Sequence, residues 1–466
     1  MTTNYDAIII GTGQAGPFLA GRLAGAGMTV AIVERKLFGG TCVNTGCIPT
    51  KAMVASAYAA HMAQRAAHYG VNAANVSVDM KRVSARKAGI SAQSRTGLES
   101  WLKNMPNCTV YEGHARFESP REVTVGEARL ASGRIFINVG GRATVPRMPG
   151  IDQVPYFTNS SMMGVDFLPE HLIIVGGSYI GLEFGQMFRR FGSRVTLIEK
   201  GSRLIGREDE DISAAILEIV EKEGIQVRLN AKCIGFRKDG DGIAATVDCT
   251  AGSPEIPGSH VLLAVGRRPN TDDLGLEKAG VAVDKHGYIL VDDELRTNVP
   301  GIWALGDCNG RGAFTHTSFN DSEIAAENLL DGDHRRVSDR ITAYALYIDP
   351  PLGRAGMTEA EVRKTGRPAL VGKRPMTKVG RAVEKGETQG FMKIFVDAGT
   401  NQILGAAILG TGGDEVIHSI LDVMYAKAPY TVIRRAMHIH PTVSELVPTM
   451  LGELQPLGDS EEISGA

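Results

Sequence analysis

The sequence lacks several features that mark specialised classes of protein. No stretch approaches the run of about 18 apolar residues that a membrane-spanning helix needs. The net charge is −2 and no dense basic run occurs, so we expect neither nucleic acid nor a membrane surface as a partner. The start of the chain, Met1 to Ile10, has no basic segment and an apolar run of only four residues. We therefore expect no signal peptide and a cytoplasmic location.

Cysteine is also scarce. Six cysteines in 466 residues are too few for a disulfide framework. Two of them, Cys42 and Cys47, lie five positions apart, in a segment with Gly and Pro that opens a long Ala-rich helix. The other four are widely spaced, and we expect them to be structural: Cys108, Cys233, Cys249 and Cys308.

The spacing of Cys42 and Cys47 indicates a redox pair. In a regular helix, Cα atoms five positions apart are about 8.6 Å from each other, whereas a disulfide rarely spans more than about 7 Å. A bond between the two sulfurs therefore requires a break in the helix, which Gly46 permits. Pro49 suits a first helical turn and places Cys47 near a helix N-terminus, where the dipole favours a thiolate. The alternative is a pair of buried, inert cysteines.

A dinucleotide-binding pattern precedes the two cysteines. The apolar strand Ala7–Ile10 leads into Gly11-Thr12-Gly13-Gln14-Ala15-Gly16, then a helix to about Gly25 and a second strand that ends at Glu34. The glycines allow a tight turn and let backbone N–H groups approach a pyrophosphate, while Glu34 can accept a ribose hydroxyl. The alternative is a Gly-rich turn without a ligand.

The same pattern occurs a second time. A shift of 165 positions superposes Gly11 on Gly176, Gly16 on Gly181 and Glu34 on Glu199. A repeat in this register predicts two dinucleotide sites. Ser178 stands where the second site would have its middle glycine, so the backbone there approaches a pyrophosphate past a hydroxyl group.

The position of the cysteines assigns the two nucleotides. The first unit directly precedes the redox segment. It should hold FAD, because the cysteines must touch a flavin ring to exchange electrons with it, so the second unit should hold NAD(P)H. Glu199 suits the 2′-hydroxyl of NADH and repels a 2′-phosphate, whereas Lys200 and Arg203 could bind that phosphate. We expect NADH.

The segment from Gly39 to Lys51 reads GGTCVNTGCIPTK and resembles the active-site motif of the flavoprotein disulfide reductases. That family includes lipoamide dehydrogenase, glutathione reductase and mercuric reductase. The resemblance implies that Cys47 packs against the flavin and that Cys42 meets the substrate. It also implies that NAD(P)H reduces the flavin, which reduces a Cys42–Cys47 disulfide.

The resemblance implies roles for four further side chains and a homodimer. His440, oriented by Glu445, would be the acid–base group for Cys42 of the other subunit. Lys51 and Glu183 would pair beside the flavin ring. Local sequence leaves alternatives open, because Thr442 and Glu445 also fit a helix capping box and both Lys51 and Glu183 could be exposed helix charges.

Two further residues belong to the expected cofactor sites. Asp307 ends an apolar strand predicted over residues 297–307 and resembles the aspartate that binds a flavin-chain hydroxyl, although a helix cap or an Asx turn is the alternative. Tyr179 would cover the nicotinamide pocket, or be an ordinary tyrosine. The full expected cofactor set is Gly11, Gly13, Gly16, Glu34, Gly40, Thr41, Lys51, Gly113, Gly306, Asp307, Gly176, Gly181, Tyr179, Glu199 and Gly266.

The expected fold class is α/β, with two Rossmann-like domains of the three-layer ββα type and an α+β C-terminal dimerisation domain. We assign residues 1–150 and 271–340 to FAD, residues 151–270 to NAD(P)H and residues 341–466 to dimerisation. Residues 349–359 and 386–393 look most like the mercuric-reductase-like branch, which includes a copper(II) reductase of hypochlorous-acid resistance. The last cysteine is Cys308, so the C-terminal cysteine pair of mercuric reductases is not present in this sequence.

We therefore expect an enzyme that reduces a metal ion or a small disulfide. The alternatives are a dihydrolipoamide dehydrogenase subunit of an acyl-transfer complex and a glutathione-type reductase. A redox-sensing flavoprotein with negligible turnover is a weaker possibility.

Overall fold

Two parallel sheets with related strand orders form the larger part of the fold. The computed structural model describes residues 1–250 and 252–458. The first sheet contains, in spatial order, Ile302–Ala304, Ile135–Ile137, Ala7–Ile10, Val30–Glu34 and Cys108–Glu112. The second sheet contains, in spatial order, Phe157–Thr158, His260–Leu263, His171–Val175, Arg194–Ile198 and Gln226–Arg228.

Each parallel sheet lies between helices and a small antiparallel sheet. In the first unit that sheet contains Ala115–Ser119, Glu122–Val125 and Ala128–Ala131, with Thr2–Asn4 added at its edge. In the second unit it contains Gly235–Asp239, Gly242–Thr246 and Glu255–Gly258. A further pair of strands, Gly141–Ala143 and Arg267–Pro269, lies between the units in sequence. The predicted internal repeat is thus a repeat of the whole three-layer unit.

The apolar residues of the central strands explain these layers. All four residues of Ala7–Ile10 are buried, as expected for a parallel strand covered on both faces. Ile8 and Ile10 pack with Phe117 of the antiparallel sheet, whereas Ile9 packs with Leu19 of the first helix. Alternate side chains point to opposite faces of a strand, so Ala7–Ile10 contributes side chains to two hydrophobic cores.

The helices of the two units connect these strands. They are Gly16–Gly25, Gly40–Asn44, Cys47–Gln64, Met80–Lys103, Asn159–Met162, Tyr179–Phe191, Glu210–Lys222, Leu276–Ala279 and Thr315–Leu330. Short 3-10 helices in these units are Ala66–Tyr69, Ile151–Gln153, Gly306–Asn309 and Val337–Asp339, and the C-terminal part contains Met376–Lys378. Within residues 1–250 and 252–458, no helix is long and apolar enough to cross a membrane.

The C-terminal part forms a six-stranded antiparallel sheet with helices. Its strands are, in spatial order, Ala343–Leu346, Leu352–Gly356, Ile403–Leu409, Phe391–Asp397, Ala369–Pro375 and Gln455–Pro456. Its helices are Glu359–Lys364, Gly380–Glu384, Gly413–Tyr425, Thr431–Arg435 and Leu446–Gly452. The predicted fold class, two Rossmann-like units with an α+β C-terminal part, is confirmed. Residues 459–466 of the predicted C-terminal domain lie outside the described residues.

The strand predicted over residues 297–307 is shorter than expected. It contains only Ile302–Ala304, because Pro300 has no N–H group to donate and Gly301 has a positive φ of 86°. The chain therefore turns at Gly301 before it enters the sheet.

Buried ion pairs fasten the second unit to the C-terminal sheet. The fully buried guanidinium of Arg354 donates to Glu208, with 2.5 Å between Nη2 and Oε2, and to Asp209 at 3.1 Å. A second group joins Arg190 to Glu223 at 2.7 Å and to Asp349 at 2.8 Å. Because buried charges are costly unless they are paired, these contacts fix the relative position of the two parts.

Candidate active site

The helix containing Cys42 ends before Cys47, as the sequence predicts. A short helix, Gly40–Asn44, contains Cys42, and Cys47 is the first residue of the long helix Cys47–Gln64, here called the redox helix. Gly46 lies at the break, where an added Cβ would be 2.8 Å from the carbonyl oxygen of Thr41. Any larger residue at this position would push the two cysteine-bearing helices apart.

Cys42 and Cys47 are free thiols in the structure, so the disulfide expected between them is not formed in this state. A hydrogen bond from Cys42 is the largest cause that lowers the pKa of Cys47, to about 6, and the same contact raises the pKa of Cys42. Thr315 and the cation of Lys51 also lower the pKa of Cys47. The arrangement thus favours a Cys47 thiolate that accepts a hydrogen bond from the Cys42 thiol.

Thr315 is a contact of the redox pair that the sequence did not indicate. Its hydroxyl oxygen lies 3.0 Å from the sulfur of Cys47. Thr315 is the first residue of the helix Thr315–Leu330, so the N-terminus of a second helix also faces the thiolate. The fold brings these two residues together, and no local motif connects them.

The expected pair of Lys51 and Glu183 is present. Lys51 Nζ lies 2.7 Å from Glu183 Oε2 and 3.0 Å from Oε1. The side chain of Glu183 is only 7% exposed. The backbone N–H of Tyr347 also donates to Glu183 at 3.1 Å, and the ring of Tyr347 lies 4.5 Å from Lys51 Nζ. Tyr347, which the sequence did not indicate, therefore holds both members of the pair.

His440 contacts Glu445, and the capping-box alternative is not formed. Both carboxylate oxygens of Glu445 lie 3.0 Å from His440 Nδ1. The hydroxyl of Thr442 accepts the N–H of Glu445 at 3.2 Å, but the carboxylate binds the imidazole rather than the backbone. Because a carboxylate only accepts hydrogen bonds, we assign a proton to Nδ1, which leaves Nε2 as the free ring nitrogen.

The first glycine turn has the geometry that a bound dinucleotide requires. An added Cβ on Gly16 would lie 2.2 Å from the carbonyl oxygen of Gly11. The helix that begins at Gly16 has neither a side-chain cap nor an acidic residue in its first turn, so its N-terminus can receive a phosphate. Glu34 accepts from the backbone N–H of Thr12 at 3.1 Å and from its hydroxyl at 2.6 Å.

A cavity follows Glu34 and continues the first site. Its volume is 430 Å³, and it is lined by Arg35, Lys36, Arg142, Asp272 and Asp273. Glu34, the glycine turn and this cavity together fit FAD, because they offer a phosphate site, a ribose acceptor and polar space beyond the ribose.

The second glycine turn repeats these contacts. Glu199 accepts from the N–H groups of Gly177 at 2.6 Å and Gly201 at 2.7 Å. An added Cβ on Gly181 would lie 1.9 Å from the carbonyl oxygen of Gly176. Ser178 is in an extended conformation that any residue adopts, with φ −111°, so its replacement of glycine leaves the turn intact.

Tyr179 belongs to an aromatic cluster at the start of its helix. Its ring centre lies 6.0 Å from that of Phe314 and 5.7 Å from that of Tyr344, edge to face in both cases. The phenol of Tyr344 donates to Glu208 at 2.5 Å. Phe314 directly precedes Thr315, so the cluster connects Tyr179 with the redox pair.

The remaining expected residues lie around the first site. An added Cβ on Gly40 would be 3.0 Å from Gly13 Cα, and the carbonyl of Thr41 accepts the N–H of Thr45. Gly113 donates to the carbonyl of Glu34 at 2.8 Å. These contacts place the redox segment and the strand end next to the glycine turn.

Asp307 occupies a half-buried position next to a cation. Its carboxylate lies 3.6 Å from Arg267 Nη2, and burial raises its pKa. The N–H of Gly306 donates to Asp321 at 2.6 Å, which fixes the turn. Gly266, which directly precedes Arg267, accepts the N–H of Thr144 through its carbonyl at 2.9 Å.

Comparison with known proteins identifies the family. Residues 5–322 match the pyridine nucleotide-disulphide oxidoreductase family and residues 342–451 match its dimerisation domain. The probable pyridine nucleotide-disulfide oxidoreductase RclA of Escherichia coli (strain K12) is 36% identical over 449 residues, which cover 95% of this chain and 97% of that protein. The mercuric reductase of Streptomyces lividans is 36% identical over 450 residues, with 95% and 94% covered.

A third relative and a solved structure agree with this assignment. The dihydrolipoyl dehydrogenase of Thermus scotoductus is 33% identical over 443 residues, 95% of each chain. The Cu(II) complex of the HOCl-induced flavoprotein disulfide reductase RclA from Escherichia coli superposes with a TM-score of 0.88 at 34% identity, covering 97% of this chain and 100% of that one. The resemblance seen in the sequence is confirmed. The chain belongs to the pyridine nucleotide-disulphide oxidoreductase family, whose members are FAD-dependent enzymes that use a pyridine nucleotide.

Proposed function

We propose that the protein is an NADH-dependent reductase that passes electrons through Cys42 and Cys47 to a metal ion or a small disulfide. The observation that carries this proposal is the dithiol at the break between two helices, where a hydrogen bond from Cys42, the Thr315 hydroxyl 3.0 Å away and the Lys51 cation lower the pKa of Cys47 to about 6. Such a pair can form a disulfide, accept two electrons and keep one sulfur ionised beside an electron donor.

Several residues of the chain would bind FAD or stabilise charge beside it. When bound, FAD supplies the hydride acceptor and the two-electron donor for the disulfide. The turn at Gly11 and Gly16 would hold its pyrophosphate, and Glu34 its ribose. The Lys51 cation, fixed by Glu183, would stabilise negative charge that arrives next to Cys47.

Cys42 is the sulfur proposed to attack the substrate. Its thiol must lose a proton when it attacks, and the thiolate that leaves the substrate must gain one. We assign both transfers to Nε2 of His440, because Glu445 holds the proton on Nδ1.

We assign this histidine to a second copy of the chain. His440 lies within the segment that matches the dimerisation domain, and its side chain is 81% exposed. The neighbouring apolar side chains Met437 and Ile439 are 98% and 79% exposed. Exposed apolar side chains of this kind are typical of an interface, so a homodimer would both bury them and bring the imidazole to a partner's cysteine.

The contacts of the second unit support NADH. Glu199 would place a negative charge at the 2′ position of the adenosine ribose. Arg203, a candidate for binding a 2′-phosphate, is held by Glu210 at 2.9 Å and by the carbonyl of Gly206 at 3.1 Å. A phosphate would have to break these contacts and overcome the repulsion from Glu199.

The class of substrate is tested by anaerobic turnover with a panel of acceptors. The relatives include a mercuric reductase and a protein solved as a Cu(II) complex, so Cu(II), Hg(II) and small disulfides form the first arm. Dihydrolipoamide and co-purification with a high-mass complex form the second arm, because a dihydrolipoyl dehydrogenase is 33% identical. Metal- or disulfide-dependent oxidation of NADH by the isolated protein supports the proposal, and turnover of dihydrolipoamide alone contradicts it.

A further inference from the structure

The described residues contain one disulfide, and it lies outside the redox segment. Cys233 and Cys249 are bonded, with Cα atoms 5.4 Å apart and a sequence separation of 16. Cys233 precedes the strand Gly235–Asp239, and Cys249 follows the strand Gly242–Thr246. The bond therefore closes the open end of this hairpin in the second unit, where the N–H of Cys233 also donates to the carbonyl of Val247 at 3.3 Å.

The disulfide is close to the predicted nucleotide edge of the second sheet. Gln226–Arg228 runs parallel to Arg194–Ile198, so residues 229–234 leave the sheet at the carboxyl edge, where dinucleotides bind. The N–H of Ala231 donates to the carbonyl of Glu199 at 3.1 Å, and the N–H of Asn230 donates to Gly201 at 2.9 Å. Cys233 is thus two positions from a direct backbone contact with Glu199.

The bond limits the movement of residues 229–234. Asn230 has a left-handed φ of 58°, a conformation that asparagine adopts more readily than most other non-glycine residues. With the disulfide closed, this segment is tied to the hairpin through a covalent bond. With the disulfide open, backbone hydrogen bonds and the packing of Ala231 and Ile234 in the core beside Ile198 still hold the segment, but no covalent bond does.

The two sulfurs differ in access, which favours exchange in one direction. Cys249 is exposed and Cys233 is half-buried. A dithiol can attack Cys249 Sγ, break the Cys233–Cys249 bond and release Cys233 as a thiolate. The second thiol of the reagent then displaces Cys249. The dithiol becomes a disulfide and gives up two electrons and two protons, and the protein gains two thiols.

We propose that Cys233–Cys249 is a second thiol–disulfide exchange site, which reacts with dithiols and small disulfides and controls the affinity of the second unit for pyridine nucleotide. This inference rests on the proposed placement of the pyridine nucleotide beside Glu199. The closed form holds residues 229–234 in the conformation that lines the nucleotide edge, so it binds the nucleotide more tightly.

The test uses holoenzyme with Cys42→Ser and Cys47→Ser, so that the redox pair does not respond to the reagents. Calorimetry measures NAD⁺ binding before and after dithiothreitol, and again after reoxidation with diamide. Alkylation followed by mass spectrometry reports the state of Cys233 and Cys249. We expect both cysteines to be alkylated only after reduction, the Kd for NAD⁺ to rise about fivefold, and reoxidation to restore it.

Two further variants separate the disulfide from general effects. Adding Cys233→Ser and Cys249→Ser should give the weaker Kd and remove the response to dithiothreitol. Adding Cys108→Ser, which removes a free and partly buried thiol, should leave the response unchanged.

Three outcomes would overturn the inference. Alkylation of both cysteines without reductant would show that no disulfide forms. A Kd for NAD⁺ that stays constant while mass spectrometry shows reduction would mean that the disulfide does not control nucleotide affinity. If neither the oxidised nor the reduced form binds NAD⁺, the nucleotide assignment on which the inference rests is contradicted.

Discussion

The hydroxyl of Thr315 lies 3.0 Å from the sulfur of Cys47, although 268 positions separate the two residues. Together with Cys42 and Lys51 it lowers the pKa of Cys47 to about 6. The reduced enzyme should therefore carry a Cys47 thiolate at neutral pH and lose it as the pH falls through about 6.

Replacing Thr315 by valine should raise the pKa of Cys47 by about one pH unit, because one hydrogen bond to a charged sulfur is lost. Cys47 would then lose its thiolate at a higher pH than in the wild-type enzyme. The measurement is the pH midpoint of the long-wavelength absorbance of reduced holoenzyme. Ser56→Ala is the control, since this hydroxyl is on the redox helix but bonds the carbonyl of Ala52. An unchanged midpoint in Thr315→Val would show that the contact does not stabilise the thiolate.

Replacing Lys51 by methionine should slow the reduction of the holoenzyme by NADH about 100-fold, because the cation next to the redox pair is lost. It should also lower the free energy of unfolding by about 2 kcal/mol, since Glu183 is left buried without its partner. Stopped-flow absorbance and chemical denaturation measure the two effects. Lys81→Met, on an exposed face of the helix Met80–Lys103, should change neither. A Lys51→Met enzyme reduced at the wild-type rate would show that the Lys51 cation does not assist reduction by NADH.

Replacing Glu199 by glutamine should weaken the preference for NADH over NADPH about tenfold, because the charge that repels a 2′-phosphate is removed while a carbonyl acceptor remains for the turn. The ratio of the two kcat/KM values is the measurement. Glu210→Gln tests the second part of the argument, because it frees Arg203 and should lower the KM for NADPH. A wild-type enzyme that prefers NADPH would contradict this assignment.

Replacing His440 by glutamine should lower turnover with an acceptor by about 100-fold or more, as expected for loss of an acid–base group. Anaerobic reduction by NADH should stay at the wild-type rate, because that half of the reaction does not use this imidazole. Glu445→Gln keeps the imidazole but weakens its orientation, so a smaller loss, about tenfold, is expected. His438→Gln serves as a control, since His438 contacts the carbonyl of Ser444 instead. Equal losses in both half-reactions would contradict the role of His440.

Residues that follow one another in a motif could be predicted from the sequence. The break at Gly46 follows from the reach of a disulfide, and the two glycine turns follow from the 165-residue repeat. The contact of His440 with Glu445 and the pairing of Lys51 with Glu183 were implied by the resemblance to the flavoprotein disulfide reductases, whereas the local sequence left alternatives open.

Residues that meet only through the tertiary fold and belong to no recognised motif could not be predicted. Thr315 reaches Cys47 because the helix after Gly306-Asp307 points at the redox helix, and Tyr347 reaches Glu183 because the C-terminal sheet packs on the second unit. The Cys233–Cys249 bond spans a hairpin whose strands were not predicted, so its two cysteines looked independent.

The central claim is that Cys47 is the thiolate beside the flavin and that Cys42 is the sulfur that meets the substrate. The most direct measurement is an anaerobic NADH titration of Cys42→Ser and Cys47→Ser holoenzymes, followed through the long-wavelength band of a thiolate next to oxidised flavin. We predict that Cys42→Ser shows this band and that Cys47→Ser does not. A band that persists in both variants, or appears only in Cys47→Ser, would contradict the assignment.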